Sequence, residues 1–322
     1  MNINKVLLIG GSGFLGTSVA EQLVANGVAV TVPTRRTIRA KHLWVLPTLQ
    51  AVEADVHYPD QLAELVCGQD AVINLAGVLH DAKGDFERVH VALPRLIAET
   101  CVATGTPRLI QMSALNASMD GPSAYLQSRY RGESAVLEIA RKNPSLNVTI
   151  FRPSIIFGEH DQFLNMLATL ARFSPFIPLG SPEARFQPVW VEDVARAIVQ
   201  SLAMRETFGQ TYALAGPREI TLRGLLEFAM HTSGHRRLIL PLGPALSMAQ
   251  AAVFERLPGH LITRDNVRSM SVANTSREPF PAMFGRAQSM EAIVPGYMQA
   301  GVPDAAGPAR YDRFRQRARH TL

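Results

Sequence analysis

Two cysteines, Cys67 and Cys101, are all that the 322 residues carry, and a single pair cannot build a disulfide framework. Both fall in apolar helical patterns, where a reduced thiol packs as a small hydrophobe, and a cytoplasmic setting suits them. No apolar run approaches the roughly 20 residues of a membrane-spanning helix, so no transmembrane segment is expected. The apolar stretch Val6–Ile9 is too short for a signal sequence and runs straight into glycines. Any meeting with a membrane is therefore expected to be peripheral, at its inner face. A basic stripe with interleaved aromatics is lacking, as is a recognition helix, which argues against nucleic acid as a partner. The nine histidines show no metal-ligand spacing, and no metal is expected; His80 and His90 read as surface or capping residues. One shortage is local: no Asp or Glu occurs between Glu21 and Glu53.

What is present is apolar mass for a sizeable core, 47% of the chain, which excludes global disorder. The formal net charge is only +5. Part of that excess lies at the end, where Arg310, Arg313, Arg315, Arg317 and Arg319 face only Asp304 and Asp312. Residues 303–322 read as a solvated basic tail, with attraction to acidic lipid or an acidic partner as the sharper alternative.

The first half alternates short apolar runs with helical patterns. Strands are expected at Val6–Ile9, Val28–Val32, Gln50–Glu53, Ala71–Leu75, Arg108–Ser113 and Val148–Arg152, and helices at Phe14–Ala25, Pro59–Cys67, His90–Thr104 and Tyr125–Lys142. Continuous apolar strands alternating with helices predict an α/β fold, a doubly wound parallel sheet. After Arg152 prolines punctuate the chain; Val194–Met204 and Leu246–Leu257 read as helices and Thr211–Ala215 as a further sheet strand. The expected layout is a Rossmann domain over 1–152 and about 186–233. A smaller lobe for substrate or partner takes 153–185 and about 234–302.

The first strand ends in Gly10-Gly11-Ser12-Gly13-Phe14-Leu15-Gly16. Glycines at three-residue spacing let the chain turn out of the strand, let backbone approach a pyrophosphate, and let the helix pack close to the sheet. Free N–H groups and the dipole at the helix N-terminus hold phosphate. The strand–glycine–helix context is the one that a dinucleotide site requires. At the end of the second strand an NAD site carries an acidic residue for the ribose hydroxyls. Here Arg35 and Arg36 stand there, followed by Arg39 and Lys41. A guanidinium pairs with a 2′-phosphate that a carboxylate would repel, so the cofactor expected is NADP(H) rather than NAD(H).

Asp55-Val56 and Asn74-Leu75-Ala76-Gly77 resemble the adenine-contacting and ribose-flanking segments of short-chain dehydrogenases/reductases. "LIQMSALNA" from Leu109, "SAYLQSRYRGE" from Ser123, "FRPSIIFG" from Phe151, "RFQPVWVEDVARAI" from Arg185 and "PGHLITRDNVRSM" from Pro258 are similar to one extended, atypical branch. That branch is the family of alpha-subcomplex subunit 9 of respiratory complex I, and the resemblance runs from Lys5 to about Met298. It implies nucleotide-binding roles for Gly10, Ser12, Gly13, Phe14, Leu15, Gly16, Arg35, Arg36, Asp55, Val56, Leu75, Ala76 and Gly77. It also implies a respiratory or membrane-associated protein partner. In active relatives a Ser or Thr after the fifth strand and a Tyr-x-x-x-Lys on the next helix carry proton transfer; the matching positions are Ser113, Tyr125 and Arg129.

A tyrosine hydroxyl near pKa 10 is a poor acid–base catalyst at neutral pH unless a cation one helical turn away assists it. Arginine keeps the charge but not the compact ammonium that also bonds a ribose. Phe151-Arg152-Pro153-Ser154 sits where strand ends face a ligand crevice, which places Pro153 beside the nicotinamide. Two functions follow. One is a cofactor-holding accessory protein with weak or lost catalysis. The other is an active NADPH-dependent reductase or nucleotide-sugar epimerase/dehydratase using Tyr125 and Ser113.

Overall fold

The computed structural model describes residues 2–81, 84–256 and 262–298. The basic tail lies outside them, as does Leu257 at the end of the expected Leu246–Leu257 helix. The first half runs β1 (Lys5–Ile9), α1 (Phe14–Ala25), β2 (Ala29–Thr34), β3 (Leu49–Glu53), α2 (Pro59–Val66), β4 (Ala71–Asn74), α3 (Leu93–Thr104), β5 (Arg108–Met112), α4 (Ala124–Lys142) and β6 (Asn147–Pro153). There follow β7 (Ile156–Phe157), α5 (Phe163–Phe173), β8 (Phe176–Gly180), β9 (Arg185–Phe186), β10 (Val189–Trp190), α6 (Val191–Ser201), β11 (Thr211–Leu214), β12 (Ile220–Thr221), α7 (Leu222–Thr232), β13 (Leu238–Leu242), α8 (Pro244–Phe254) and α9 (Arg264–Ser269).

Seven strands form one parallel sheet in the order β11-β6-β5-β4-β1-β2-β3, a Rossmann-like arrangement. Val6, Leu7, Leu8 and Ile9 are buried, because helices cover both faces of the sheet. Each such aliphatic side chain contributes about 2 kcal/mol by leaving water. One core lies under α1 and α6, the other under α2, α3 and α4. The strand order reverses between β1 and β4, and their carboxyl ends border the crevice in which ligands of such sheets lie.

Three expectations shift for readable reasons. The helix expected from His90 starts as α3 at Leu93, after a π-helical turn over Phe86–Ala92. Pro94 has no N–H to give the His90 carbonyl four residues back, so the chain runs wide there. The helix expected from Val194 begins at Val191, with Glu192 and Asp193 in its first turn, where carboxylates suit the helix dipole. Cys101 is buried as expected, its thiol pushed up to about 12 by burial, but Cys67 ends α2 at the surface.

β11 returns to the sheet beside β6 as expected. A third cluster joins α5, β8 and α7 through Leu164, Leu167, Ile177, Leu225 and Leu226. α7 was expected with the Rossmann part and instead packs with this lobe. In the other direction Phe284 packs into the sheet core, stacked edge-on against Phe151 and Tyr212.

Arg108, on β5, is fully buried and faces no carboxylate among the described residues. Its guanidinium bonds the Asn147 and Ser201 carbonyls and the Thr149 and Thr207 hydroxyls, and lies 4.6 Å from the Phe208 ring centre. Burial pushes its pKa down to about 9. This one side chain ties β5 and β6 to the end of α6. Arg108→Met strips a donor from four oxygens and is expected to cost about 3 kcal/mol, read as a lower urea midpoint.

Candidate functional site

Gly10 leaves β1 at φ +82°, in the left-handed region. A Cβ there would lie 3.1 Å from the Leu75 carbonyl carbon, and one on Gly11 would lie 2.8 Å from Val32. A Cβ on Gly16 would run into the Gly10 carbonyl oxygen and the Gly11 backbone. The glycines therefore serve contact, not flexibility alone: they seat α1 against the strand end. Gly13 is the N-cap of α1 and supplies no side-chain acceptor, and the first turn has no acidic residue. This leaves the opening N–H groups free of any side-chain partner, the arrangement that suits phosphate. Ser12 and Phe14 are half-buried beside the turn, Leu15 packs into the sheet core, and the Phe14 ring lies against Gly158.

Arg35 and Arg36 follow β2 at once and are exposed; neither is ion-paired to a carboxylate among the described residues. After β3, Asp55 closes a turn by accepting the His57 N–H at 3.1 Å, and Val56 packs into the second core. After β4, the buried Asn74 donates to Gln111 at 2.9 Å and accepts the Ala76 N–H at 3.1 Å. That bond shapes the Leu75-Ala76-Gly77 turn opposite Gly10. The fit to a dinucleotide rests on this cradle, which a Cβ would fill, and on one orphaned atom: the Ser113 hydroxyl is buried and has no hydrogen-bond partner among the described residues.

Arg129 is nearly buried and lies across the ends of two strands. Its Nη1 donates to the Ala76 and Met112 carbonyls, each at 3.3 Å. Its guanidinium carbon is 5.4 Å from the Tyr125 ring centre, within cation–π range. A Cβ on Gly77 would collide with this guanidinium. The structure thus brings Tyr125, Arg129, Gly77 and the residue before Ser113 together, with Nη1 of the arginine on main-chain oxygens and its Nε buried without a partner among the described residues.

His90 was expected at the surface or as a cap, and it is neither. It is buried under the Tyr125 ring, 5.5 Å away edge-on. Its Nε2 accepts the Val78 N–H at 3.1 Å, so Nδ1 carries the proton and donates to Ser128 Oγ at 2.9 Å. Ser128 in turn donates to the Tyr125 carbonyl. Burial first, then the Arg129 cation, pushes the His90 pKa down to about 2. The neutral ring is thus a fixed strut between the loop after β4 and α4.

Two further ties went unread in the sequence. Glu133, buried on α4, pairs bidentately with Arg152, whose pKa this bond raises. The Arg152 head is thereby turned to α4, while Pro153 is buried and its carbonyl accepts from Leu115. Asp265 of α9 accepts the Ala124 N–H at 2.8 Å and the Tyr125 N–H at 3.0 Å. Asn274 accepts from Ser154 Oγ at 2.6 Å, and Asn116 donates to the Ala273 carbonyl at 2.6 Å. The segment from Thr263 to Asn274 therefore straps the start of α4 to the loops after β5 and β6. Only its local part was readable: Thr263 and Asn266 form a capping box at the start of α9.

Residues 6–215 match the NAD dependent epimerase/dehydratase family. The mitochondrial NADH dehydrogenase (ubiquinone) 1 alpha subcomplex subunit 9 of Mus musculus is 35% identical over 245 residues, covering 73% of this chain and 63% of that protein. The chain thus spans less than two thirds of that relative's length. A ceramide reductase of Caulobacter vibrioides is 28% identical over 309 residues, covering 95% of this chain and 90% of that protein. Among solved structures, a nucleoside-diphosphate-sugar epimerase from Staphylococcus aureus superposes with a TM-score of 0.70 at 15% identity, covering 89% of this chain and 98% of that one.

His90 is held neutral in the fold, while the unfolded chain binds a proton below pH 6.5. Its contribution is complete above that pH and is lost as pH falls toward about 2. Between pH 6.5 and 5 the native protein is expected to lose ~1.5 kcal/mol to this group, and His90→Gln to flatten that slope in urea titrations. Asp265→Ala is expected to cost about 1 kcal/mol, and Asp265→Asn less than half of that, by the same measurement.

Proposed function

The chain belongs to the NAD dependent epimerase/dehydratase family, and we propose that it is a holder of NADP(H) with little turnover. In this reading Gly10, Ser12, Gly13, Phe14, Leu15 and Gly16 surround the pyrophosphate, and Arg35 and Arg36 pair with the 2′-phosphate. Asp55 and Val56 flank the adenine. Leu75, Ala76, Gly77 and Pro153 line the ribose and nicotinamide end, beside Ser113, Tyr125 and Arg129. Support for NADP(H) over NAD(H) is the acid-free run from Gln22 to Val52 and two arginines at the end of β2 with no carboxylate partner among the described residues.

The bound nucleotide would supply a hydride. Ser113 has a buried hydroxyl with a hydrogen bond left to make, which suits a substrate oxygen. Tyr125 would be the proton donor. The observation that carries low turnover is the Arg129 guanidinium, which bonds the Ala76 and Met112 carbonyls. Nη1 so tethered holds the guanidinium at the strand ends, with Nε buried and unpaired among the described residues, and its planar fork fills space that a lysine leaves open. The names of the subunit 9 relatives favour an accessory role with a respiratory protein partner.

A second reading has a specific observation behind it. The Caulobacter ceramide reductase aligns almost end to end, lobe included, and the orphaned Ser113 hydroxyl fits an active site. On that reading the chain reduces the carbonyl of a large apolar substrate.

The first test is the nucleotide that co-purifies, identified by mass spectrometry and followed by nicotinamide absorbance. Stoichiometric NADP(H) that neither exchanges nor turns over is expected; NAD(H) in its place overturns the assignment of Arg35 and Arg36. Arg35→Ser with Arg36→Ser is expected to weaken NADPH binding ~100-fold, about 2.7 kcal/mol, and NADH binding hardly at all. Arg129→Lys should raise carbonyl reduction ~10-fold or more; an unchanged rate would remove Arg129 as the constraint, and Tyr125→Phe would then decide for or against the reductase.

A further inference from the structure

The lobe presents an apolar face that its own core does not use. In the β8–β13 pair, Phe176 stands opposite Leu238, Ile177 opposite Ile239 and Pro178 opposite Leu240. Ile177 and Ile239 turn inward to the lobe core, so the alternation of strands puts the other set outward. Phe176, Pro178, Leu238 and Leu240 are all exposed, Leu238 by 65%. Phe173, at the end of α5, is 76% exposed. α8 packs against β8 by its small residues, Ser247 and Ala251 being buried and Gln250 donating to the Pro178 carbonyl. This leaves its stripe Leu246, Ala249 and Val253 in solvent, with Leu246 62% exposed. A helix without a charged side chain that buries only its smallest residues is facing something apolar.

Charge decides what that is. No Asp or Glu occurs from Gln162 to Pro182 or from Phe228 to Phe254, the segments that build this face; the bordering carboxylates are Asp161, Glu183, Glu227 and Glu255. The charged residues within them are Arg172, Arg236 and Arg237. Arg172 lies over the Phe173 ring at 5.4 Å, and Arg237 donates to the Ala171 carbonyl at the end of α5. Aromatic and aliphatic side chains rimmed by arginine, with carboxylates excluded, match the interface of a bilayer with anionic headgroups.

We propose that the face formed by Phe173, Phe176, Leu238, Leu240 and the Leu246–Val253 stripe of α8 docks on an anionic membrane surface, with Arg172 and Arg236 at the headgroups. No helix among the described residues is long and apolar enough to span a membrane, so attachment is peripheral and reversible. The inference is independent of the nucleotide reading.

The full chain is sedimented with vesicles of phosphatidylcholine alone and with equimolar phosphatidylglycerol. Binding is expected only to the anionic vesicles and to weaken with salt. Phe176→Asp with Leu238→Asp should lower partitioning ~10-fold or more, and Arg172→Glu with Arg236→Glu should remove the salt dependence. Circular dichroism and NADPH titration check that each variant is folded; Phe173→Asp, at the most exposed position, serves if the double variant is not. Undiminished binding by these variants overturns the proposal and moves the contact to another part of the chain. So does a native protein that ignores both vesicles but loses self-association on Phe176→Asp, which would make a second copy the occupant. Failure to bind any nucleotide, with vesicle binding intact, would count against the function proposed above and leave this face standing.

Discussion

Gly16 stands so close to the Gly10 carbonyl oxygen and the Gly11 backbone that no side chain fits between them. That contact seats the start of α1 on the end of β1, next to the strand-order reversal between β1 and β4. Everything at the crevice is set out from there. The Leu75–Gly77 turn lies so near Gly10 that an added Cβ would come within 3.1 Å of the Leu75 carbonyl carbon and 3.2 Å of the Ala76 nitrogen. The sheet is buried on both faces, so its strands cannot shift register without exposing aliphatic side chains. A site built on strand ends inherits that rigidity.

The side of the crevice that holds Tyr125 and Arg129 depends on how α4 is held. Arg129 fixes it to the ends of β4 and β5, Glu133 to β6 through Arg152, and Ser128 to His90 on the turn before α3. The lobe adds Asp265 at the first N–H groups of the helix. Four ties along one helix leave the Tyr125 ring little freedom, between His90, Phe86 and the Arg129 guanidinium. The arrangement has an electrostatic cost. Arg129 sits close to a buried histidine, and the histidine answers by staying neutral. An arginine with main-chain oxygens as partners is a structural cation as much as a reagent.

Local chemistry made much of this legible. Strand and helix positions through β6 follow from apolar periodicity and turn residues, and Phe14–Ala25 is matched to the residue. The glycine spacing, the arginines after β2, the tyrosine and its altered partner all stand in sequence-adjacent motifs. Where reading fell short, the cause was distance along the chain. His90 looked like an ordinary polar residue at a helix start; its burial comes from α4, some forty residues later. Asp265 lies 140 residues from the Tyr125 amide that it accepts, and no local pattern announces that bond. α7 carries a helical pattern that would pack equally well on the sheet or on the lobe.

The amino-acid sequence by itself determined the alternation of elements, the glycine turn, and which charges stand at the end of β2, because each is settled by interactions within about ten residues. Only the tertiary structure decided that Arg129 Nη1 reaches two strand ends, that His90 is a buried strut, and that a strap from α9 to Asn274 ties the start of α4. It also decided that half of the β8–β13 pair faces outward. Such outcomes rest on which surfaces meet once the sheet has closed, and burial is a property of the meeting rather than of either segment.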